Sequence, residues 1–511
     1  MKKILGVALV VFLSLPLFAD LAEYVPSSLH VYSEAKNLQY AVDYAGKKDS
    51  RFIATLQKVN IDTTKPIAYY YLSLPDSYGL TAYLKGKTLP EDFVSSQAEE
   101  YQGIKILSLK TPLKGLRYAL RYKRLLILTS DIPTARDIIK VIREGGSLSQ
   151  RKEYHKALKE FGGGEFIAFI DLKALVKNFS PFLNLISQGI SQKSTGALTD
   201  LIAKVNIRKA KEKLQELDYV FLNVNLGKEG ILVKKVVYFQ RLQDLPAQKL
   251  DYFSLLPRES IFGADFLLDF QNTEEINKFY QELEKEGASL SQEDKDKLAE
   301  MKKSTLEFRE KIKESMYPEV GISGSMGEDG FPSVLVVGRV KKEESFKELV
   351  ESPRKFSPLA NIPADKLQVQ KLPEVDYLGE KIKGYEITLP EKTARAPQKM
   401  KVFLILNGKF FLLSVGKDNA AIKNGYKIIK KGGESLQDSP QVAHIFKSLP
   451  SRVSAKIYFS PAQIISMITK RPFPSRGLGG VIYARDNKII TEIRCDKEML
   501  SSIFAIPRKI D

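Results

Sequence analysis

The chain has 511 residues, with 79 Lys and Arg against 61 Asp and Glu for a formal charge of +18, one cysteine, three histidines and no tryptophan. A single thiol, Cys495, excludes an intramolecular disulfide, and with only His30, His155 and His444 beside it a Cys/His zinc centre is excluded as well. The length exceeds what one hydrophobic core usually serves, so two large units are expected.

The N-terminus reads as a signal peptide over 1–19. Lys2 and Lys3 precede an apolar run from Ile4 to Phe18, and the small Ala19 sits where a signal peptidase would cut before Asp20. That run is shorter than the roughly 20 residues of a spanning helix, and no later segment is uniformly apolar for that length. The mature chain is therefore expected in the periplasm or outside the cell.

From there the sequence reads as two similar halves, 20–246 and 247–511, whose elements recur in the same order. Val25-Pro26 before a strand at Leu29 matches Leu256-Pro257 before IFGADFLLDF. The alternating pair at Tyr69 and Tyr78 matches the pair at Val320 and Phe331, and Tyr101-Gln102-Gly103 matches Tyr377-Leu378-Gly379. Apolar hairpins follow at 118–131 and 402–416, then helical stretches ending in Gly145-Gly146 and Gly432-Gly433, where glycine suits a helix cap. An amphipathic stretch from Tyr154 or Val442 leads to a strand from Phe166 or Ser454, and each half closes on strand, polar turn and strand. A period above two hundred residues means two lobes rather than a solenoid, and an internal duplication is the expected origin.

Two segments depart from that symmetry. Residues 272–316 carry a capping-box-like start at Asn272 and Glu275, with Ile276, Phe279, Tyr280 and Leu283 at helical spacing. Residues 174–216 carry Phe179, Phe182, Leu183, Leu185 and Ile186 ahead of a basic stretch, a composition that suits core packing and also an anionic interface.

The positive charge is spread over both halves, with no basic tail or stripe, so nucleic acid is not an expected partner. It suits an anionic membrane surface or an acidic glycan, and equally the solvated surface of a heat-adapted protein. The loop from Lys470 is the candidate surface contact: Lys470, Arg471 and Arg476 flank Phe473 between two prolines.

Catalytic motifs fail on their own terms. Ser149 and Lys152 have serine-x-x-lysine spacing, yet the matching region at 437–440 lacks both residues. Ser323 and Ser325 lie in a strand without a nucleophile elbow. His155 and His444 fall one position apart in matching helices, which marks them as scaffold positions. Asp171 precedes a helical stretch where the other half has Ser460-Pro461, the pattern of a helix cap. Asp265 and Asp269 share a strand face and would be a carboxylate pair for glycoside chemistry, but no counterpart acid is evident in the first half. The Gly162–Gly164 and Gly477–Gly480 clusters lead into strands, whereas a phosphate loop opens a helix. No catalytic residue, cofactor or metal is assigned.

This pattern of a Leu-Pro-led strand, a Tyr-x-Gly strand, an apolar hairpin, a helix ending in Gly-Gly-x-Ser-Leu and a further strand resembles a family of exported bacterial proteins catalogued only as a domain of unknown function. The resemblance implies export and a duplicated α+β unit, and no activity. The expected fold class is α+β: two similar lobes of mainly antiparallel sheet with helices packed on one face. The expected function is a non-catalytic exported binding or structural module of the cell envelope. The alternatives are an envelope hydrolase whose residues converge only in three dimensions, and a soluble carrier with an apolar tunnel near Tyr69–Tyr71.

Overall fold

The computed structural model describes residues 21–44, 51–73, 76–86, 89–113, 115–178, 196–242, 245–269, 273–326, 332–351, 368–388, 399–460 and 477–497. Residues 1–19, where a signal peptide is expected, and the candidate contact residues Lys470, Arg471, Phe473 and Arg476 lie outside them. The chain forms two compact units, 1–179 with 214–243 and 485–511, and 180–213 with 244–484. A single cut between 246 and 247 would place 180–213 and 485–511 in the opposite units.

The first unit is an antiparallel sheet. Its strands are β1 (Val31–Ala35), β2 (Ile67–Ser73), β3 (Ser77–Tyr83), β4 (Val94–Tyr101), β5 (Ile104–Leu113), β6 (Leu116–Tyr122), β7 (Leu125–Thr129), β8 (Phe166–Asp171), β9 (Leu217–Gly227) and β10 (Gly230–Phe239). They pair in the order β4–β5–β6–β7–β3–β2–β1–β8–β9–β10. Helices α1 (Leu38–Tyr44) and α2 (Arg51–Lys58) fill the β1–β2 connection, and α3 (Ile132–Glu144) and α4 (Lys152–Phe161) the β7–β8 connection. The sequence sets the ends of α3: the Asp131 side chain accepts the Thr134 N–H, Pro133 opens the first turn, and Gly145 closes it at φ 87°. The β4–β5 turn needs two residues at positive φ, which Gln102 and Gly103 supply at 47° and 75°.

The second unit repeats this strand order. Helix α5 (Ala197–Gln215) begins in it; then come β11 (Phe262–Leu267), α6 (Thr273–Glu286), α7 (Gln292–Ser315), β12 (Met316–Met326), β13 (Pro332–Val340), α8 (Glu343–Glu351), β14 (Gln368–Tyr377), β15 (Glu380–Thr388), β16 (Lys399–Leu406), β17 (Phe410–Gly416), α9 (Ala420–Lys431), α10 (Pro440–Phe446), β18 (Ala455–Phe459) and β19 (Leu478–Arg485). Pairing runs β14–β15–β16–β17–β13–β12–β11–β18–β19, again antiparallel throughout. Position for position, β11 stands where β1 stands and β18 where β8 stands. The bridges agree in detail: Pro26 pairs with Ser147 and Pro257 with Ser435, while Leu148 and Leu436 donate to the carbonyls of Val25 and Leu256. The last strand, β20 (Lys488–Cys495), belongs to the first unit and pairs antiparallel with β10 along its length.

The class is α+β, as the patterning implied. The helices, however, cover both sheet faces. In the second unit Leu335, Val337 and Leu412 pack under Ile422 and Tyr426 of α9, whereas Val320 and Phe411 on the opposite side pack with Phe346 of α8. In the first, α2 buries Ile53 and Leu56 against Leu80 and Leu126. A central strand such as β7, buried at every position, requires cover on both sides.

The two insertions are partners. Leu201 and Val205 of α5 pack with Tyr280 and Leu283 of α6 and Leu298 of α7. Arg208 pairs with Glu282 at 2.7 Å and with Glu286, and Lys209 pairs with Glu282 at 3.1 Å. Leu201 and Val205 of α5 are thus core, and its basic residues answer the acids of α6, whereas Phe179, Phe182, Leu183, Leu185 and Ile186 lie outside the described residues.

Candidate functional site

Each first strand carries a buried carboxylate at the same place. Counted from Pro26 and Pro257, Glu34 of β1 matches Asp265 of β11, and both are 0 % exposed. Asp265 is not paired with Asp269, which is exposed at the strand's far end. Its neighbours are Glu319 and Lys456, the latter its register partner on β18. Burial, then the Glu319 charge, push the Asp265 carboxyl up to about 8. The Asp251 and Tyr252 amides donate to Glu319 and Asp265 at 3.0 and 2.7 Å, Gln248 donates to Glu319 at 3.2 Å, and Lys456 donates to the Leu250 carbonyl. These bonds staple residues 248–252 onto the sheet, a structural use of the acids. In the first unit the Tyr32 hydroxyl donates to Glu34.

The other singled-out residues disperse. The Ser149 hydroxyl meets Ser147 at 2.8 Å, and Lys152 is exposed. His155 is exposed on α4, and His444 lies on α10 of the other unit. Ser323 and Ser325 border a cavity of about 50 Å³ with Ser260 and Asn424. Tyr69, Tyr71 and Tyr78 pack on one another at 5.3–6.1 Å between ring centres, filling the region where an apolar tunnel was considered.

One constellation converges, and it belongs to the first unit. At one end of the sheet a polar row crosses five adjacent strands: His30, Asp171, Tyr219, Tyr238 and Lys488. The Asp171 amide donates to the His30 carbonyl at 2.9 Å, and Asp171 is in register with Tyr219. Tyr219 stacks on Tyr238 with ring centres 4.0 Å apart, and Tyr238 is in register with Lys488. Helix α4 covers the row. Arg151 at its start binds Asp171 at 2.7 Å and lies over Phe169, while Glu160 at its end grips the Lys488 ammonium at 2.6 and 2.9 Å. Lys488 is only 3 % exposed, held between the rings of Phe161 and Tyr238.

The electrostatics follow from burial. Desolvation lowers the His30 pKa against the opposing pull of Asp171, so the ring is neutral at pH 7; its Nε2 lies 3.3 Å from the Asn178 amide. Burial raises both tyrosines well above the usual phenol range, leaving neutral hydroxyls. Asp171 also accepts the Ala174 amide at 2.8 Å, the helix cap its position implied.

Beside the row lies a groove of about 280 Å³. Helix α4 forms one wall with Lys152, Glu153 and Lys156; the strand ends and the β19–β20 turn form the other with Asp218, Asp486 and Asn487. In the second unit the matching positions are Ile261, Ser460 and, by register, Gly477, and the Ser460 amide donates to the Ile261 carbonyl at 2.6 Å as Asp171 does to His30. At these three positions the backbone frame is common to both units, and the polar side chains are present in one. Sequence reasoning weighed His30 and Asp171 separately and missed Tyr219, Tyr238 and Lys488, which only strand order brings together. A legible signal was the replacement of His30 by Ile261 in otherwise matching strands.

No family model and no curated protein matches the chain. Among solved structures it is similar to TP0453 in crystal form I, with 9 % identity, a TM-score of 0.24 and coverage of 44 % of this chain and 81 % of that one. Crystal form III of TP0453 gives 9 % and 0.24 over 52 % of this chain and 98 % of that one. Likeness at this level assigns neither fold nor function. Among the described residues no helix is long and apolar enough to cross a membrane, and no group of three metal-ligating side chains occurs.

Proposed function

We propose that the protein is a non-catalytic, exported binding module of the cell envelope, descended from a duplicated α+β unit, in which the first unit holds the ligand and the second is scaffold. The observation that carries this reading is the contrast between His30–Asp171–Tyr219 and Ile261–Ser460–Gly477 on matching backbone. A fold kept twice but furnished with polar chemistry once points to use at the furnished copy.

The binding character rests on how the row is held. Asp171 is committed to Arg151 and to a helix cap, and Lys488 to Glu160, so these groups are fixed walls rather than proton carriers awaiting a substrate. Export rests on the Lys2-Lys3 start, the run from Ile4 to Phe18 and the Ala19 cleavage position. The test is native mass spectrometry of protein purified from its own envelope. A small polar adduct that disappears in Tyr219→Phe combined with Lys488→Met supports the reading; turnover of any envelope polymer by the purified chain overturns it.

A further inference from the structure

We infer that the groove of the first unit seats a zwitterionic amino compound, a free amino acid or a dipeptide, with its carboxylate toward α4 and its ammonium toward the strand ends. This deepens the binding reading above and rests on it.

The two walls differ in sign. Lys152 and Lys156 stand one turn apart on α4, the spacing that puts both ammonium groups on one helix face. Facing them is Asp218, at the start of β9; Asp486, in the turn before β20, lines the same wall but is engaged by Arg485 at 3.2 Å. Glu153, the acid on the helix wall, is engaged by Arg151 at 3.3 Å. Among the described residues Lys152, Lys156 and Asp218 form no ion pair. Opposite charges left apart across a groove are complementary to a ligand that brings both.

A purely anionic ligand would face Asp218, and a purely cationic one the two lysines, so each would forfeit on one wall what it gained on the other. Size agrees. At about 30 Å³ for each water in the liquid, the groove holds roughly nine waters, the bulk of a dipeptide. The neutral phenols of Tyr219 and Tyr238, packed behind the mouth, add hydroxyl groups without adding charge.

The full-length protein is titrated calorimetrically at low salt with L-alanyl-L-alanine, with its N-acetylated form, with the form capped at both ends, and with maltotriose. Saturable binding of the free dipeptide is expected, weakened at least tenfold in Asp218→Asn and in Lys152→Gln with Lys156→Gln. The N-acetyl form, now an anion, should bind Asp218→Asn at least as well as it binds the parent chain, because the ligand has lost the ammonium that Asp218 answers. These side chains lie at the surface or half-buried, and unchanged thermal melting verifies that the variants fold. Equal binding of the doubly capped peptide overturns the inference. Saturation by maltotriose alone also overturns it while the binding reading stands, the groove then being a polyol site. Silence from all four ligands, together with no adduct on the native protein, sinks both.

Discussion

The backbone N–H of Tyr252 donates to Asp265 Oδ2 at 2.7 Å, so a fully buried carboxyl anchors the chain segment that leads into β11. Around it stand Glu319, Asp251 and Lys456, whose own pKa is lowered by burial. The geometry makes the second unit sensitive to pH. The folded state holds the Asp265 proton up to about 8, whereas an unfolded aspartate loses it near about 4. Between those values the folded chain binds more protons, so this contribution to stability is full below the window and is lost as pH rises through it. Asp265→Asn should flatten that slope, melting higher than the parent at pH 8 and close to it at pH 5. Parallel melting curves for the two proteins from pH 5 to 8 would refute the assignment.

A second prediction concerns matching strands. Tyr70 and Gly79 are register partners, and a Cβ at Gly79 would lie 2.6 Å from the Tyr70 ring. The corresponding pair in the second unit is Ser323 and Leu335, with the large and small residues exchanged. Gly79→Leu alone should cost roughly 3 kcal/mol through overpacking. Adding Tyr70→Ser and Thr81→Val, which copies the Ser323, Leu335 and Val337 set, should recover most of that loss in denaturant titration. No recovery would mean that the two cores are not interchangeable at this layer.

The strand β20 docks on β10 through charge as well as backbone. Lys234 and Glu492 are register partners with Nζ and Oε1 3.0 Å apart, Glu492 being the more buried of the two. Lys234→Glu leaves two carboxylates facing each other and should cost about 3 kcal/mol. Glu492→Lys in the same chain should restore more than half of it, and a simple sum of the two single losses would show that no coupling exists.

The α5 contact separates burial from surface charge. Val205 is 0 % exposed against α6 and α7, so Val205→Asp should cost more than about 3 kcal/mol and open 197–215 to limited proteolysis. Arg208 is two-fifths exposed, so Arg208→Ala should cost under about 1 kcal/mol, an effect that fades in high salt. Comparable losses in the two variants would contradict this division.

Much of the architecture was legible because hairpins are local. The caps at Gly145 and Gly432 sit at positive φ as their residues suggested, whereas the segments read as Tyr-x-Gly strands turn back at Gln102-Gly103 and Leu378-Gly379. What escaped was non-local. Nothing near Leu201 or Val205 in sequence names Tyr280 and Leu283 as their cover, and nothing near Tyr219 names Lys488. The acid that matches Asp265 in the first half is Glu34, and its place is fixed by counting eight residues beyond Pro26 and Pro257. The candidate site was illegible as a site because its five members come from five strands whose adjacency is a property of the sheet order.

That β20 completes the first sheet has a consequence for synthesis. A ribosome releases β10 before the whole of 244–484 and only then delivers the strand that pairs with it. Throughout that interval the nascent chain presents an open hydrogen-bonding edge, together with Lys234 deprived of its counter-charge. A stop codon just before β20 would leave that edge permanently bare, so loss of the C-terminal strand is expected to show as edge-to-edge aggregation through the first half of the molecule.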